Sequence, residues 1–243
     1  MTSKLTELST SPQAALPKAA LPKPTVANKQ ANKVFIIGLP RTGTTSVSVG
    51  LLEQGLTVAH QAFTKQAFML ADVVSDAPCF SDYQQLDALF PSAKFVYLDR
   101  PMDKWLPSMQ MLLTKMMVHL DKDNGRFHPV MKRSFNHCFD IWQAEDVCDE
   151  AHLTGCYLRH QQQVSDYFAG RDNFISIDIG QPNSLQTLLT FLGIKDDDAI
   201  DFPVLNVGRN VASWDEYKHP HKISSNAAGP DKRKFFDYTL SKP

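Results

Sequence analysis

A short segment rich in glycine and threonine carries the clearest chemical pattern in the chain. Residues 38–45 read Gly-Leu-Pro-Arg-Thr-Gly-Thr-Thr, and they follow a β-branched and aromatic run at 34–37 that is typical of a buried parallel strand. A helical pattern begins at Thr44. Glycines let backbone amides approach an anion, and a helix N-terminus adds unpaired N–H groups and a partial positive charge. The segment is therefore predicted to bind phosphate or a related anion.

The cation of this loop is displaced from its position in the common nucleotide-binding pattern. The spacing matches G-x-x-x-x-G-K-S/T, but Thr44 stands where that pattern has lysine, and Arg41 supplies the charge from inside the loop. Phosphotransferases use the lysine on the β- and γ-phosphates and the next Ser or Thr on Mg²⁺. A nucleotide phosphotransferase or NTPase, or a non-catalytic nucleotide-binding protein, is therefore kept as an alternative and not as the first prediction.

The run Pro-Arg-Thr-Gly-Thr-Thr at 40–45 resembles the 5′-phosphosulfate-binding loop of sulfotransferases, whose form is Pro-(Lys/Arg)-(Ser/Thr)-Gly-Thr-Thr. These enzymes use 3′-phosphoadenosine 5′-phosphosulfate (PAPS) as donor. They bind its 3′-phosphate with an arginine at the end of a central strand and a serine eight residues later, and Arg100 and Ser108 have that spacing. A guanidinium can hold a phosphate through two hydrogen bonds, and the hydroxyl adds another.

The resemblance extends over about residues 33–210 and is closest to the compact bacterial-type sulfotransferases. The implied donor site consists of Pro40, Arg41, Thr42, Gly43, Thr44, Thr45, Arg100 and Ser108. The glycine-rich R-K-G-x-x-G segment of the family's cytosolic enzymes is absent, and Arg209 is a candidate substitute contact for the 3′-phosphate.

The resemblance implies transfer of a sulfuryl group from PAPS to an acceptor hydroxyl or amine, with release of adenosine 3′,5′-bisphosphate. Arg41 would neutralise the leaving oxygen, and no metal is required. The acceptor needs a base near neutral pH. His60 is the first candidate because it ends a predicted strand, and strand ends line the ligand crevice of open parallel sheets. Asp76 and Asp82 are the alternatives.

These residues need an alternating α/β framework to bring them together. Short apolar runs predict four strands, at 34–37, 56–60, 94–98 and 174–177. Helical patterns separate them, at 44–54, 64–74, 83–90, 105–120, 128–141, 144–169 and 184–192. The alternation predicts parallel strands with helical crossovers, hence a P-loop-like three-layer α/β/α domain with a mostly parallel central sheet.

The composition limits the function further. Lys and Arg number 25 and Asp and Glu 26, so the net charge of −1 gives no general reason to bind nucleic acid. Residues 1–30 are rich in Pro, Ala and Lys and are predicted to form a disordered tail before a single domain at 31–243. No apolar run is long enough for a transmembrane helix or a secretory signal, which predicts a cytoplasmic protein.

The cysteines predict neither a disulfide framework nor a metal site. Four cysteines in a chain of 243 residues are too few for a disulfide scaffold. Cys148, His152, Cys156 and His160 recur every four residues, but the four span too much of one helix to share an ion. The acceptor is expected to be a small molecule, a lipid or a glycan, and the sequence leaves open which of these it is, as well as the oligomeric state.

Overall fold

The computed structural model describes residues 33–195, 198, 201–203, 214–230 and 232. The predicted tail at 1–30 and Arg209 lie outside these residues. The strands are β1 Val34–Ile36, β2 Val58–His60, β3 Val73–Ser75, β4 Lys94–Asp99 and β5 Phe174–Asp178. The helices are α1 Thr44–Glu53, α2 Lys65–Leu70, α3 Cys79–Leu89, α4 Met102–Leu120, α5 Pro129–Phe139, α6 Glu150–Tyr167 and α7 Ser184–Leu192.

The five strands of the described region are all parallel and lie in the order β2-β3-β1-β4-β5. Both faces of the sheet are buried. Phe35 and Val74 pack into one apolar cluster with residues of α6, whereas their neighbours Ile36 and Val73 pack into another with residues of α1 and α7. Helices on both faces confirm the predicted three-layer α/β/α architecture.

One predicted helix is wrong in its second half. The segment predicted as helical at 64–74 forms α2 only as far as Leu70 and then enters β3, a fifth strand that the sequence did not predict. Because β3 lies between β2 and β1, its residues are buried on both faces. β3 has only three residues, which are too few to show the alternation of a strand, and they directly follow a helical pattern. The extra strand places Asp76 beside the loop that follows β1.

Two other helices begin four or more residues away from the predicted start. α3 begins at Cys79, four residues before the predicted start at 83. α6 begins at Glu150 and not at 144, because the side chain of Asp149 caps it by accepting a hydrogen bond from the amide of His152.

The sheet order creates a crevice where the two predicted anion-binding segments meet. The chain builds β2 and β3 on one side of β1 and then crosses to place β4 on the other side. In open parallel sheets, ligands bind outside the carboxyl ends of the strands at such a reversal. The loops after β1 and β4 therefore lie next to each other at the same edge of the sheet.

Candidate functional site

Two residues with positive φ shape the loop after β1. Gly43 has φ 110°, and a Cβ atom there would lie 2.2 Å from Cδ1 of Ile179, so glycine is required. Arg41 also has a positive φ, of 72°. The buried hydroxyl of Thr42 donates a hydrogen bond of 2.7 Å to the carbonyl of Leu39. The side chain of Thr42 therefore stabilises the loop conformation.

The loop leads directly into α1, whose first amides are available to an anion. No side chain caps the N-terminus of this helix within the described residues. The N–H groups of Thr44, Thr45 and Ser46 have no intrahelical acceptor because they belong to the first turn. Thr44 is buried, whereas Thr45 is partly exposed. These amides and the helix dipole favour a negatively charged group at this position.

Arg41, Arg100 and Ser108 meet beside this turn, although they come from two loops and a helix. Nε of Arg41 donates a hydrogen bond of 2.8 Å to Oγ of Ser108, and Nη1 of Arg100 donates to the carbonyl of Arg41. Burial lowers the pKa of both guanidinium groups, and the charge of Arg100 lowers the pKa of Arg41 further. Among the described residues, neither arginine forms an ion pair with a carboxylate. The charge of Asp178 raises the pKa of Arg100 in part. Two partly buried guanidinium groups that form no direct ion pair within the described residues indicate an anionic ligand.

Trp105 attaches the loop to α4. Its indole Nε1–H donates a hydrogen bond of 2.9 Å to the carbonyl of Pro40, and its side chain is fully buried. The predicted helix at 105–120 includes Trp105 but does not indicate this hydrogen bond. The structure adds that it holds the carbonyl next to Arg41 in place.

The central part of the chain matches a known family. A family model described as a sulfotransferase domain matches residues 58–211, more than half of the chain. The chain belongs to the sulfotransferase family. The matched region begins at β2, so it includes Arg100 and Ser108 but starts after the loop that follows β1. No curated protein matches the chain significantly.

In this sulfotransferase, His60 ends β2 and lies in a buried polar cluster. Its Nδ1 atom is 2.8 Å from Oγ of Ser75 and 3.3 Å from Oγ of Ser48, and its Nε2 atom is 3.5 Å from Oδ2 of Asp76. Burial lowers the pKa of His60, although the charges of Asp76 and Asp215 oppose this shift. His60 is therefore a neutral imidazole near pH 7.

Asp76 is the member of this pair with spare hydrogen-bonding capacity. It has φ 59°, its Oδ1 accepts a hydrogen bond of 2.7 Å from the amide of Ala77, and its Oδ2 faces His60. The side chain is 14% exposed, against 9% for His60. Both ring nitrogens of His60 already face protein atoms, whereas each carboxylate oxygen has a further lone pair. A substrate hydroxyl can therefore still hydrogen-bond to Asp76.

The third candidate base, Asp82, lies in a different environment. Its side chain is completely buried, and its two oxygens accept hydrogen bonds of 2.8 and 2.6 Å from Arg133. Ser81 donates a further hydrogen bond of 2.7 Å to it. The ion pair joins α3 to α5, so Asp82 has a structural role here.

Residues 214–230 form a strap along the edge strand β2 and reach His60. The amide of Val58 donates a hydrogen bond of 3.0 Å to the carbonyl of His221. The ring of Trp214 lies 5.2 Å from the ring of His60, measured between centroids. Sequence reasoning missed this contact because no local pattern relates Trp214 to a strand that lies more than 150 residues earlier in the chain.

The remaining sequence candidates are accounted for by protein contacts. The described residues contain no group of three or more His, Cys, Asp or Glu side chains that could hold a metal ion. Along α6, Nε2 of His160 is 2.7 Å from the carbonyl of Phe80, and Nε2 of His152 is 2.9 Å from the carbonyl of Phe139.

None of the described helices is both long and apolar enough to span a membrane.

Proposed function

We propose that this sulfotransferase transfers a sulfuryl group from PAPS to an acceptor hydroxyl or amine and releases adenosine 3′,5′-bisphosphate. The observation that carries the proposal is the meeting of Arg41, Arg100 and Ser108, with both arginines lacking a carboxylate partner in the described region. PAPS has anionic groups at its 5′ and 3′ positions, and two guanidinium groups on neighbouring loops suit such a ligand.

On the donor side, the amides of the first turn of α1 and the hydroxyls of Thr44 and Thr45 hold the 5′-phosphosulfate. Arg100 and Ser108 hold the 3′-phosphate. Arg41 stabilises the bridging oxygen, which leaves with the electron pair of the broken S–O bond. The other proposed donor-site residues act through the conformation of the loop: Pro40, Thr42 and Gly43.

On the acceptor side, His60 and Asp76 together remove the proton. A bond forms between the acceptor oxygen and sulfur as the bond between sulfur and the bridging oxygen breaks, and the acceptor proton passes to the carboxylate of Asp76. When Nδ1 of His60 accepts a hydrogen bond from Ser75, its Nε2–H points toward Asp76 and orients the carboxylate. His60 therefore orients the base, Asp76, whose carboxylate oxygens still have free lone pairs.

The proposal extends to a small-molecule, lipid or glycan acceptor and to a cytoplasmic location. All four cysteines are unpaired thiols, and three of them are buried. Unpaired thiols suit a reducing compartment.

Calorimetric titration of the purified protein with adenosine 3′,5′-bisphosphate, beside a titration with ATP and Mg²⁺, tests the donor site. We expect the bisphosphate to bind, and Arg100→Ala to weaken its affinity by about 10- to 100-fold because charge-assisted hydrogen bonds are lost. Tight binding of ATP with Mg²⁺ and no response to the bisphosphate would instead support a phosphotransferase. Bisphosphate binding without turnover of PAPS across an acceptor screen would indicate a non-catalytic binding protein.

A further inference from the structure

Tyr157, on α6, is hydrogen-bonded to the backbone that carries Arg100. The hydroxyl of Tyr157 donates a hydrogen bond of 2.6 Å to Oδ1 of Asp99, and the amide of Arg100 donates one of 3.0 Å to this hydroxyl. Gln161, one turn further along α6, donates 3.2 Å to the same carboxylate oxygen. With an exposure of 2%, Tyr157 has no access to solvent. α6 therefore fixes the end of β4 at the point where Arg100 begins.

The same tyrosine reaches the other anion-binding loop through Trp105. The two ring centroids are 4.6 Å apart, and the indole of Trp105 donates its hydrogen bond of 2.9 Å to the carbonyl of Pro40. Arg100 in turn donates to the carbonyl of Arg41. Tyr157 therefore contacts the loop after β1 in two ways: through Arg100 and through Trp105.

We propose that Tyr157 is a positioning residue of the donor site, which holds Arg100 at a fixed separation from Arg41. The inference rests on the proposed function and adds that recognition of the 3′ anion depends on a side chain of α6 that lies behind the arginine. Two guanidinium groups repel each other at close range, so other contacts must maintain their spacing. A site with its cations already in place loses less conformational entropy when the donor binds.

Replacement of Tyr157 by phenylalanine isolates the contribution of the hydroxyl. The amide of Arg100 also donates a hydrogen bond of 2.9 Å to Oδ1 of Asp99, and Gln161 still donates to that oxygen. The amide of Arg100 and the side chain of Gln161 therefore each keep an acceptor, and the ring contact with Trp105 persists. The expected loss is in the orientation of Arg100 and not in the fold.

Titration of Tyr157→Phe with two nucleotides tests the proposal. Adenosine 3′,5′-bisphosphate contains the group that Arg100 is proposed to hold, whereas adenosine 5′-phosphate lacks it. We expect the affinity for the bisphosphate to fall about 5- to 10-fold, the effect of one hydrogen bond, while the affinity for adenosine 5′-phosphate stays within about twofold of wild type. An equal loss for both nucleotides, or no loss for the bisphosphate, would overturn the proposal.

Tyr167→Phe is the matched control, because Tyr167 lies on the same helix and its hydroxyl donates a hydrogen bond of 2.8 Å to a different carboxylate, that of Asp87. Both affinities should equal those of wild type. Asp99→Asn weakens the acceptor of the Tyr157 hydroxyl and should reproduce the selective loss if Tyr157→Phe does not fold. If the proposed function itself is wrong, the wild-type protein will not bind the bisphosphate. If only this inference is wrong, wild-type binding and its loss in Arg100→Ala will remain.

Discussion

The donor side and the acceptor side of the site are built in different ways. On the donor side, Arg41 and Arg100 are partly exposed and have no carboxylate partner in the described residues. On the acceptor side, His60 and Asp76 face each other at 3.5 Å, and the ring of Trp214 covers the histidine. The donor side therefore presents two guanidinium groups to a ligand, whereas the two residues of the acceptor side already contact each other.

The difference separates binding from chemistry. Arginine keeps its charge at every accessible pH, so the donor side should bind anions independently of its own protonation. A histidine can change its charge with pH, and its surroundings set the pH of that change; burial lowers it for His60. Substitutions on the two sides should therefore move different observables, and the following predictions are ordered by the size of the expected effect.

The largest effect should come from Arg41→Ala. Because Arg41 is proposed to stabilise the leaving oxygen, its removal should lower turnover at saturating PAPS about 10³-fold, comparable to the loss of a charged transition-state donor in related chemistry. Arg41→Lys keeps the charge but loses the hydrogen bond from Nε to Ser108, and it should keep more of the activity. Initial rates with PAPS and an acceptor from the screen provide the measurement.

Arg126→Ala removes an exposed arginine and serves as the control, with wild-type rates expected. If Arg41→Ala weakens bisphosphate binding but leaves turnover at saturation unchanged, Arg41 contributes only to ground-state binding. The donor side would then have no catalytic group, and the proposed difference between the two sides would be wrong in that respect.

The meeting of the loop after β1 with Arg100 and Ser108 could be predicted from the sequence because the residues lie in two short local segments. The loop is a contiguous run at 38–45, in which Gly43 permits the positive φ and the helix starts at the next residue. Arg100 and Ser108 match the spacing of the resembled family across a single strand-to-helix transition, and both contact Arg41 in the structure. The apolar run of β1 and the helical period of α4 are local signals of the same kind.

The acceptor side could not be predicted in the same way because its contacts are non-local. β3 is too short to show a period, so Val73 and Val74 were assigned to a helix, and Ser75, which contacts His60, was not recognised as part of a strand. Trp214 reaches His60 only because the strap pairs with the edge strand. The hydrogen bond between Tyr157 and the backbone of Arg100 depends on how α6 packs against β4. No sequence spacing encodes these contacts.

A smaller effect than that of Arg41→Ala is expected from Asp76→Asn. If the carboxylate of Asp76 takes up the proton of the substrate hydroxyl, its replacement by an amide should lower turnover about 10²-fold, a typical contribution of a general base. His60→Gln should cost less, about 10-fold, because it removes only the group that orients the carboxylate. Both variants should bind the bisphosphate with wild-type affinity in calorimetry. A larger loss in His60→Gln than in Asp76→Asn would make His60 the base and Asp76 its support.

The smallest effect should be a change in the pH profile of Trp214→Ala. Burial is the main cause that lowers the pKa of His60, while Asp76 and Asp215 raise it and Lys222 lowers it further. Because its pKa is lowered, His60 stays neutral at pH values where an exposed histidine is already protonated. Turnover should therefore fall only when the pH drops through the lowered pKa of His60. Removing the indole hydrates the imidazole, so the acid limb of turnover should move upward by less than about one pH unit.

Trp214→Phe retains an aromatic cover and is the matched control, with a profile close to wild type expected. His60→Gln should remove the acid limb that belongs to the histidine. In all three variants the affinity for the bisphosphate at pH 7.5 should remain that of wild type, since Arg41 and Arg100 are unchanged. An acid limb that does not move in Trp214→Ala would mean that the strap does not control the charge of His60. A parallel loss of bisphosphate affinity would show that the strap also belongs to the donor side, so that the two sides are not independent.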